Sequence, residues 1–402
     1  MKKLKIGLLA RIIIAIALGI GFGNLLPGEL VRVFVTFNGI FSEFLGFIIP
    51  LIILGLVTPA IADIGKEAGK MLVVTTLVAY SATLFSGFLS YFTGVTFFPS
   101  MITPGAPIEQ ISEAHDIAPF FTVAIPPAMN VMTSLILAFT LGLGIAHLSS
   151  NALKNVCNDF KDIIVKTIQV VILPLLPIYI FGIFLNMTHS GQVYSILMVF
   201  IKIIGVIFLM HIFLLVFQYC VAALFVHRNP FRLLGRMLPA YFTALGTQSS
   251  AATIPVTLRQ SIKNGVSEDI AGFVVPLCAT IHLSGSTLKI VACALALMMM
   301  QGMPFDFPMF AGFIFMLGIT MVAAPGVPGG AIMAALGILA SMLGFGESEQ
   351  ALMIALYIAM DSFGTACNVT GDGAIALIID KFFGKKKPEP SSSSETIVFK
   401  QP

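Results

Sequence analysis

Charge is what this chain has least of. Asp, Glu, Lys and Arg together make up 10% of its 402 residues, against roughly 25% in a soluble domain. No polar block between Ile6 and Ile379 is long enough to form a soluble domain of its own. Tryptophan is absent, and the net charge is only +3, with the basic residues scattered through short loops, which excludes a nucleic-acid-binding face. The five cysteines, Cys157, Cys220, Cys278, Cys293 and Cys367, are odd in number, far apart and mostly inside apolar runs. They read as small core residues, so neither a disulfide framework nor a metal centre is indicated. No G-x-S-x-G or H-E-x-x-H pattern is present, which leaves an intramembrane hydrolase using Ser249 or Ser250 with Asp361 as a remote reading.

What fills the chain is apolar: 57% of its residues are hydrophobic, and mean hydropathy is +1.00. A helix needs about 20 apolar residues to cross the hydrocarbon core. Runs of that length fall at 6–26, 40–62, 71–98, 120–148, 163–186, 194–226, 270–300 and 350–380, predicting eight membrane helices in an all-α polytopic protein whose principal partner is the lipid bilayer. The first run has no convincing cleavage site and reads as a retained span. The tail 385–402, with its lysine run and four serines, reads as disordered.

Two further apolar stretches, 237–262 and 309–342, are interrupted by Gly246-Thr-Gln-Ser-Ser-Ala-Ala-Thr-Ile-Pro255 and by Ala323-Ala-Pro-Gly-Val-Pro-Gly-Gly330. Such breaks free backbone groups that lipid cannot satisfy, so they belong inside protein, and both stretches read as re-entrant helical hairpins. With both termini cytoplasmic, all Lys and Arg except Arg32, Lys202 and Lys289 then fall on or toward the cytoplasmic side. The second half repeats a long helix followed by a broken hairpin, and the two hairpins open to opposite faces, as in transporters that bind cargo at the midplane.

Ionisable residues inside spans are functional candidates by default. Asp361, Thr365, Asn368 and Asp372 lie at i, i+4, i+7 and i+11 and share one helix face. Their oxygens suit a small cation, and a midplane carboxylate facing a hydroxyl-rich tip suits an amino-acid zwitterion; composition does not choose between them. Lys289, at mid-span, is either a snorkelling side chain or a tethered cation near Asp361 or Asp372. His282 reads as a proton-linked group or as a neutral imidazole bonded to unwound backbone. His147 and His211 read as packing residues, Lys202 as interfacial, and Asp380 as solvated beside Lys381.

Asn368-Val-Thr-Gly-Asp372, with Asp361 and Thr365 before it, resembles the last-helix signature of the dicarboxylate/amino acid:cation symporter family, the glutamate-transporter-like elevator proteins. The resemblance runs in order along nearly the whole chain. Ser249-Ser-Ala-Ala-Thr-Ile-Pro-Val-Thr-Leu258 is similar to the first hairpin's tip and exit, Gly326-Val-Pro-Gly329 to the second tip, and Ala279-Thr-Ile-His-Leu-Ser-Gly-Ser286 to the unwound segment. Tyr80 and Thr83 match a sodium-holding pair.

The resemblance implies a homotrimer in the inner (plasma) membrane. It implies a transport domain of 71–98 and 191–384, sliding against a scaffold of 1–70 and 120–190. It assigns Asp361 to the substrate ammonium. Asn368 and the hairpin amides around Ser249, Ser250, Val327 and Gly329 fall to its carboxylate, and Ser286 and Thr365 to its side chain. Asp372 and Asn368, with Tyr80 and Thr83, fall to a cation, possibly sodium. The departures are Gly364, where acidic-substrate members carry an arginine, His282 and Ser284, where the family has an asparagine and an aspartate, and Lys289. They point to a small or neutral amino acid, with coupling to sodium, to protons or to both. An uncoupled exchanger or facilitator, in which Lys289 and His282 replace the coupling ion, is the alternative, and an ion channel fits a small occluded pocket less well.

Overall fold

The computed structural model describes residues 8–66, 70–102, 117–189, 191, 193–324, 326 and 328–384. Its helices, in order, are α1 (Leu8–Gly23), α2 (Gly28–Lys66), α3 (Lys70–Phe97), α4 (Val131–His147), α5 (Ala152–Thr167), α6 (Leu173–His189), α7 (Val193–Val226), α8 (Pro230–Thr247), α9 (Ser250–Lys263), α10 (Glu268–Ile281), α11 (Ser284–Gln301), α12 (Phe307–Val322), α13 (Gly330–Leu343), α14 (Glu347–Ala359) and α15 (Asp361–Phe383), with a π turn at Ile168–Ile172 joining α5 to α6. Among the described residues there is no strand. The expected tail and Val327 lie outside the described residues.

Among the described residues, six stretches are long and apolar enough to cross a membrane: Gly28–Pro59, Lys70–Ser100, Ala152–His189, Leu197–Val226, Glu268–Met300 and Asp361–Phe383. Four shorter apolar helices accompany them, namely Ala10–Gly23, Ile136–His147, Phe307–Val322 and Gly330–Leu343. The bounds depart from expectation where polar residues find partners. The second helix begins at Gly28 rather than 40, and its polar side chains find partners: Arg32 donates to the carbonyls of Ala118 and Pro119, and Glu43 accepts from the Ile125 N–H. The strap that supplies those groups occupies the start of the expected span 120–148; Pro119, Pro126 and Pro127 have no N–H to give, so helix α4 starts only at Val131. The expected span 163–186 is the end of a longer helical run that starts at Ala152. The expected span 350–380 is broken at Met360 (φ −106°, ψ 7°), which puts Asp361 in the first turn of α15.

Two helical hairpins occupy the interrupted stretches. α8 packs on α9 and turns at left-handed Gln248 (φ 53°) and Ser249, and α12 packs on α13 and ends its turn at left-handed Gly329 (φ 73°). Start signals are local: Asn229, Ser249 and Asp306 each accept a backbone N–H as N-caps, with Pro230 and Pro308 in the first turns.

α1 packs on α6, and α2 on α4, α5 and α6, while α3 packs on α11 and α12, and α15 on α7, α8, α9, α10 and α11. Packing within a membrane gains little from hydrophobicity and depends on close approach of small residues. α11 and α15 are built that way, with Gly285, Ala292, Ala294 and Ala296 on one and Gly364, Ala366, Gly371 and Gly373 on the other. A Cβ on Gly285 would sit 2.6 Å from the Gly364 carbonyl and 2.7 Å from the Cys367 Cβ. Those two glycines therefore bring the backbones together where the polar residues lie.

Candidate functional site

Three polar tiers run between α11 and α15, and all their side chains are buried. The first is built on Asp361. Its Oδ1 accepts from Lys289 Nζ at 3.1 Å, and its Oδ2 accepts from the Gly329 N–H at 2.9 Å. The carboxylate thus lies between the N-termini of α15 and α13, where unpaired backbone N–H groups favour negative charge. Lys289 is fully buried. Its ammonium lies 3.4 Å from the centre of the Tyr357 ring and 3.4 Å from the Tyr357 carbonyl oxygen. A Cβ on Gly364 would meet Nζ at 2.8 Å and Cε at 2.9 Å, so only glycine leaves the lysine this position.

The second tier is built on Asn368. Its Oδ1 accepts from the backbone N–H of Gly285 at 2.8 Å, and its Nδ2 donates to Ser286 Oγ at 3.1 Å. Ser286 Oγ also lies 2.9 Å from the Tyr357 hydroxyl, which joins this tier to the first. His211 Nε2 donates to the Gly285 carbonyl at 2.9 Å, so this residue, read from sequence as a packing residue, braces the backbone of the site.

The third tier sits at the break between α10 and α11, where His282 and Leu283 leave helical geometry (φ −107°, ψ 97° and φ −120°, ψ 44°). His282 Nδ1 donates to Asp372 Oδ1 at 2.9 Å. Gln218 of α7 donates to Ser284 Oγ at 3.2 Å and brings the same amide nitrogen within 3.5 Å of His282 Nε2. Asp372 Oδ2 and Gln218 Oε1 are buried without a hydrogen-bond partner among the described residues. Hard oxygen atoms left over in this way fit a small cation.

The hairpin tips close over the first tier. Ser249 Oγ donates to the Gly326 carbonyl at 2.8 Å, and Gln248 Nε2 donates to Ser362 Oγ at 2.9 Å. Ser250 is buried beside them in the first turn of α9. Thr365 is buried on α15 on the Asp361–Asn368 face.

The other predicted residues lie apart from these bonds. On α3, the Tyr80 hydroxyl donates to the Phe315 carbonyl of α12 at 3.2 Å, and Thr83 Oγ1 donates to the Ala79 carbonyl of its own helix. Lys202 is exposed. Asp380 is not simply solvated: its Oδ1 accepts from both the N–H and the hydroxyl of Ser267, tying the end of α15 to the start of α10. Sequence reading passed over Gln218 and Tyr357. A glutamine inside the α7 apolar run was the available signal for the first, and a tyrosine one turn before Asp361 for the second.

Two kinds of relative share this chain's sequence. It is 28% identical over 400 residues to the serine/threonine transporter SstT of Acinetobacter baylyi, covering 94% of this chain and 98% of that protein. The SstT of Acinetobacter baumannii is 27% identical, with 94% and 97% covered. The neutral amino acid transporter B(0) of Rattus norvegicus is 30% identical over 178 residues, which are 44% of this chain and 32% of the transporter. Residues 8–382 match the sodium:dicarboxylate symporter family. With that match over nearly its whole length and its long apolar helices, this multi-pass membrane protein belongs to the sodium:dicarboxylate symporter family.

Proposed function

We propose that the protein is a secondary active transporter that carries a small or neutral amino acid in symport with a cation. The observation that carries the reading is the buried Asp361 carboxylate beneath the hairpin tips, oriented by the Gly329 N–H and already paired with a primary ammonium, that of Lys289. A carboxylate that accepts a lysine ammonium at 3.1 Å offers the same bond to an amino acid's α-ammonium. Asn368, with backbone N–H groups at the tips near Ser249 and Ser250, receives the α-carboxylate. Ser286 and Thr365 face the side chain, and Gly364 leaves no fixed cation at its position for an acidic one. The names of the relatives, serine/threonine and neutral amino acid transporters, support a neutral substrate.

Asp372 and Asn368, with Tyr80 and Thr83 contributed by α3, hold the coupling cation, and sodium is the ion in the family's description. Residues 71–98 and 191–384 form a transport domain that slides against a scaffold of 1–70 and 120–190, in a homotrimer of the inner membrane with both termini cytoplasmic. The packing of α3 on α11, α12 and α15, and of α2 chiefly on α4, α5 and α6, supports that division.

The test is uptake of radiolabelled L-serine, L-threonine and L-alanine by purified protein in liposomes, with sodium and proton gradients imposed separately. Concentrative uptake in a sodium gradient, reduced roughly a hundredfold by Asp361→Asn, is expected from loss of a buried charged partner. Failure of every neutral amino acid to accumulate sinks the reading. The imidazole on Asp372 favours one alternative, exchange without ion coupling, which would appear as uptake only into preloaded liposomes.

A further inference from the structure

Both oxygens of Asp361 are satisfied from within the protein, one by a backbone N–H and one by Lys289. A substrate ammonium that binds this carboxylate competes with the lysine already on Oδ1. The lysine has no escape to water, because the α11 helix continues 12 residues beyond it to Gln301, about 18 Å of helix. The Tyr357 ring and carbonyl oxygen, each 3.4 Å from Nζ, hold the same ammonium through contacts that do not depend on Asp361, and the missing Cβ at Gly364 leaves room for the side chain.

We propose that Lys289 is a built-in counter-cation for Asp361, exchanged against the substrate ammonium in each cycle, so that the substrate-free transporter stays locally neutral and reorients without cargo. This rests on the reading of Asp361 as the ammonium site. The physical ground is the cost of a carboxylate alone in a low-dielectric interior, which is large unless the charge is paired. With substrate bound, the ammonium of the amino acid pairs with Asp361 and its α-carboxylate balances the charge of the displaced Lys289. Once substrate has left, Lys289 pairs with Asp361 again, so the site is neutral overall in both states. Without the lysine, only the loaded form is neutral at Asp361, and a transporter that moves only when loaded is an exchanger.

Lys289→Met in liposomes tests this with two assays on the same preparation: net uptake of radiolabelled L-serine into liposomes free of it, and exchange of radiolabelled for unlabelled L-serine in preloaded ones. Net uptake is expected to fall about tenfold or more while exchange stays within about twofold. Acidifying the medium is expected to restore part of the net uptake, because a proton on Asp361 then does what the lysine did. Gly364→Ala, whose methyl would stand 2.8 Å from Nζ, is a second variant and is expected to give a smaller loss of the same kind. If net uptake and exchange fall together in both variants, or neither falls in either, the proposal is overturned. If the unaltered protein exchanges but never accumulates substrate, the symport reading fails and this inference fails with it.

Discussion

The Ser249 hydroxyl donates a 2.8 Å hydrogen bond to the Gly326 carbonyl, so the tip of one helical hairpin is fastened to the tip of the other. The same oxygen accepts from the Ala252 N–H as the N-cap of α9. Ser249→Ala removes both bonds, of which the cap alone is worth about 1 kcal/mol. Amide hydrogen exchange across residues 323–330 is expected to speed up roughly fivefold, with a higher KM for uptake. Unchanged exchange there would mean that the tips are held by other contacts.

The pair His282–Asp372 predicts how sodium affects stability. His282→Ala leaves a buried carboxylate short of its 2.9 Å donor, beside an oxygen that already lacks a partner. The variant is expected to lose about 1–3 kcal/mol, read as a lower Tm in choline chloride. Replacing choline with sodium is expected to return part of that loss, since a cation is the other way to satisfy Asp372. A Tm drop of the same size in both salts would argue against a cation at this carboxylate.

The polar face of α15 was legible because Asp361, Thr365, Asn368 and Asp372 follow helical spacing inside an apolar run, and the interrupted stretches announced themselves through glycine and proline. The strap before α4 was misread because Phe120 to Ile125 is apolar enough for a span. What keeps it extended is distant in sequence: Thr36, Arg32 and Glu43 of α2 take its backbone groups. The break at Met360 carries no glycine or proline to mark it. The Lys289–Asp361 distance was likewise unreadable, since spacing places each residue on a helix but not one helix against another.

Glu347, at the start of α14 and outside the spans, shares a cavity with Glu43, Asn38 and Tyr179. Burial pushes its carboxyl above the ordinary value and the neighbouring Glu43 adds to this, while a hydrogen bond with Ser42 works the other way. A raised value in the folded protein means that the neutral acid is the favoured form. The contribution is present below the unfolded value of about 4.3 and is lost as pH rises through the folded one. Glu347→Gln is therefore expected to raise stability at pH 7.5 by no more than about 1 kcal/mol, the group being half exposed, and to change nothing at pH 4. A lower Tm at pH 7.5 would show that the ionised carboxylate is the one the fold prefers.

Tyr357 touches two tiers with different parts of its side chain, and two substitutions separate them. Its hydroxyl meets Ser286 Oγ at 2.9 Å, and its ring faces the Lys289 ammonium at 3.4 Å. Tyr357→Phe keeps the ring and deletes the hydroxyl, leaving Ser286 its bond from Asn368 Nδ2. A loss near 1 kcal/mol, about fivefold in KM, is the expected scale for one such bond. Tyr357→Leu also deletes the aromatic face, which is worth up to about 2 kcal/mol more for a desolvated cation. Uptake by the leucine variant is expected to fall well below that of the phenylalanine variant, with net uptake suffering more than exchange. Equal losses in the two would mean that the hydroxyl is the whole contribution and that the ring does not hold the lysine.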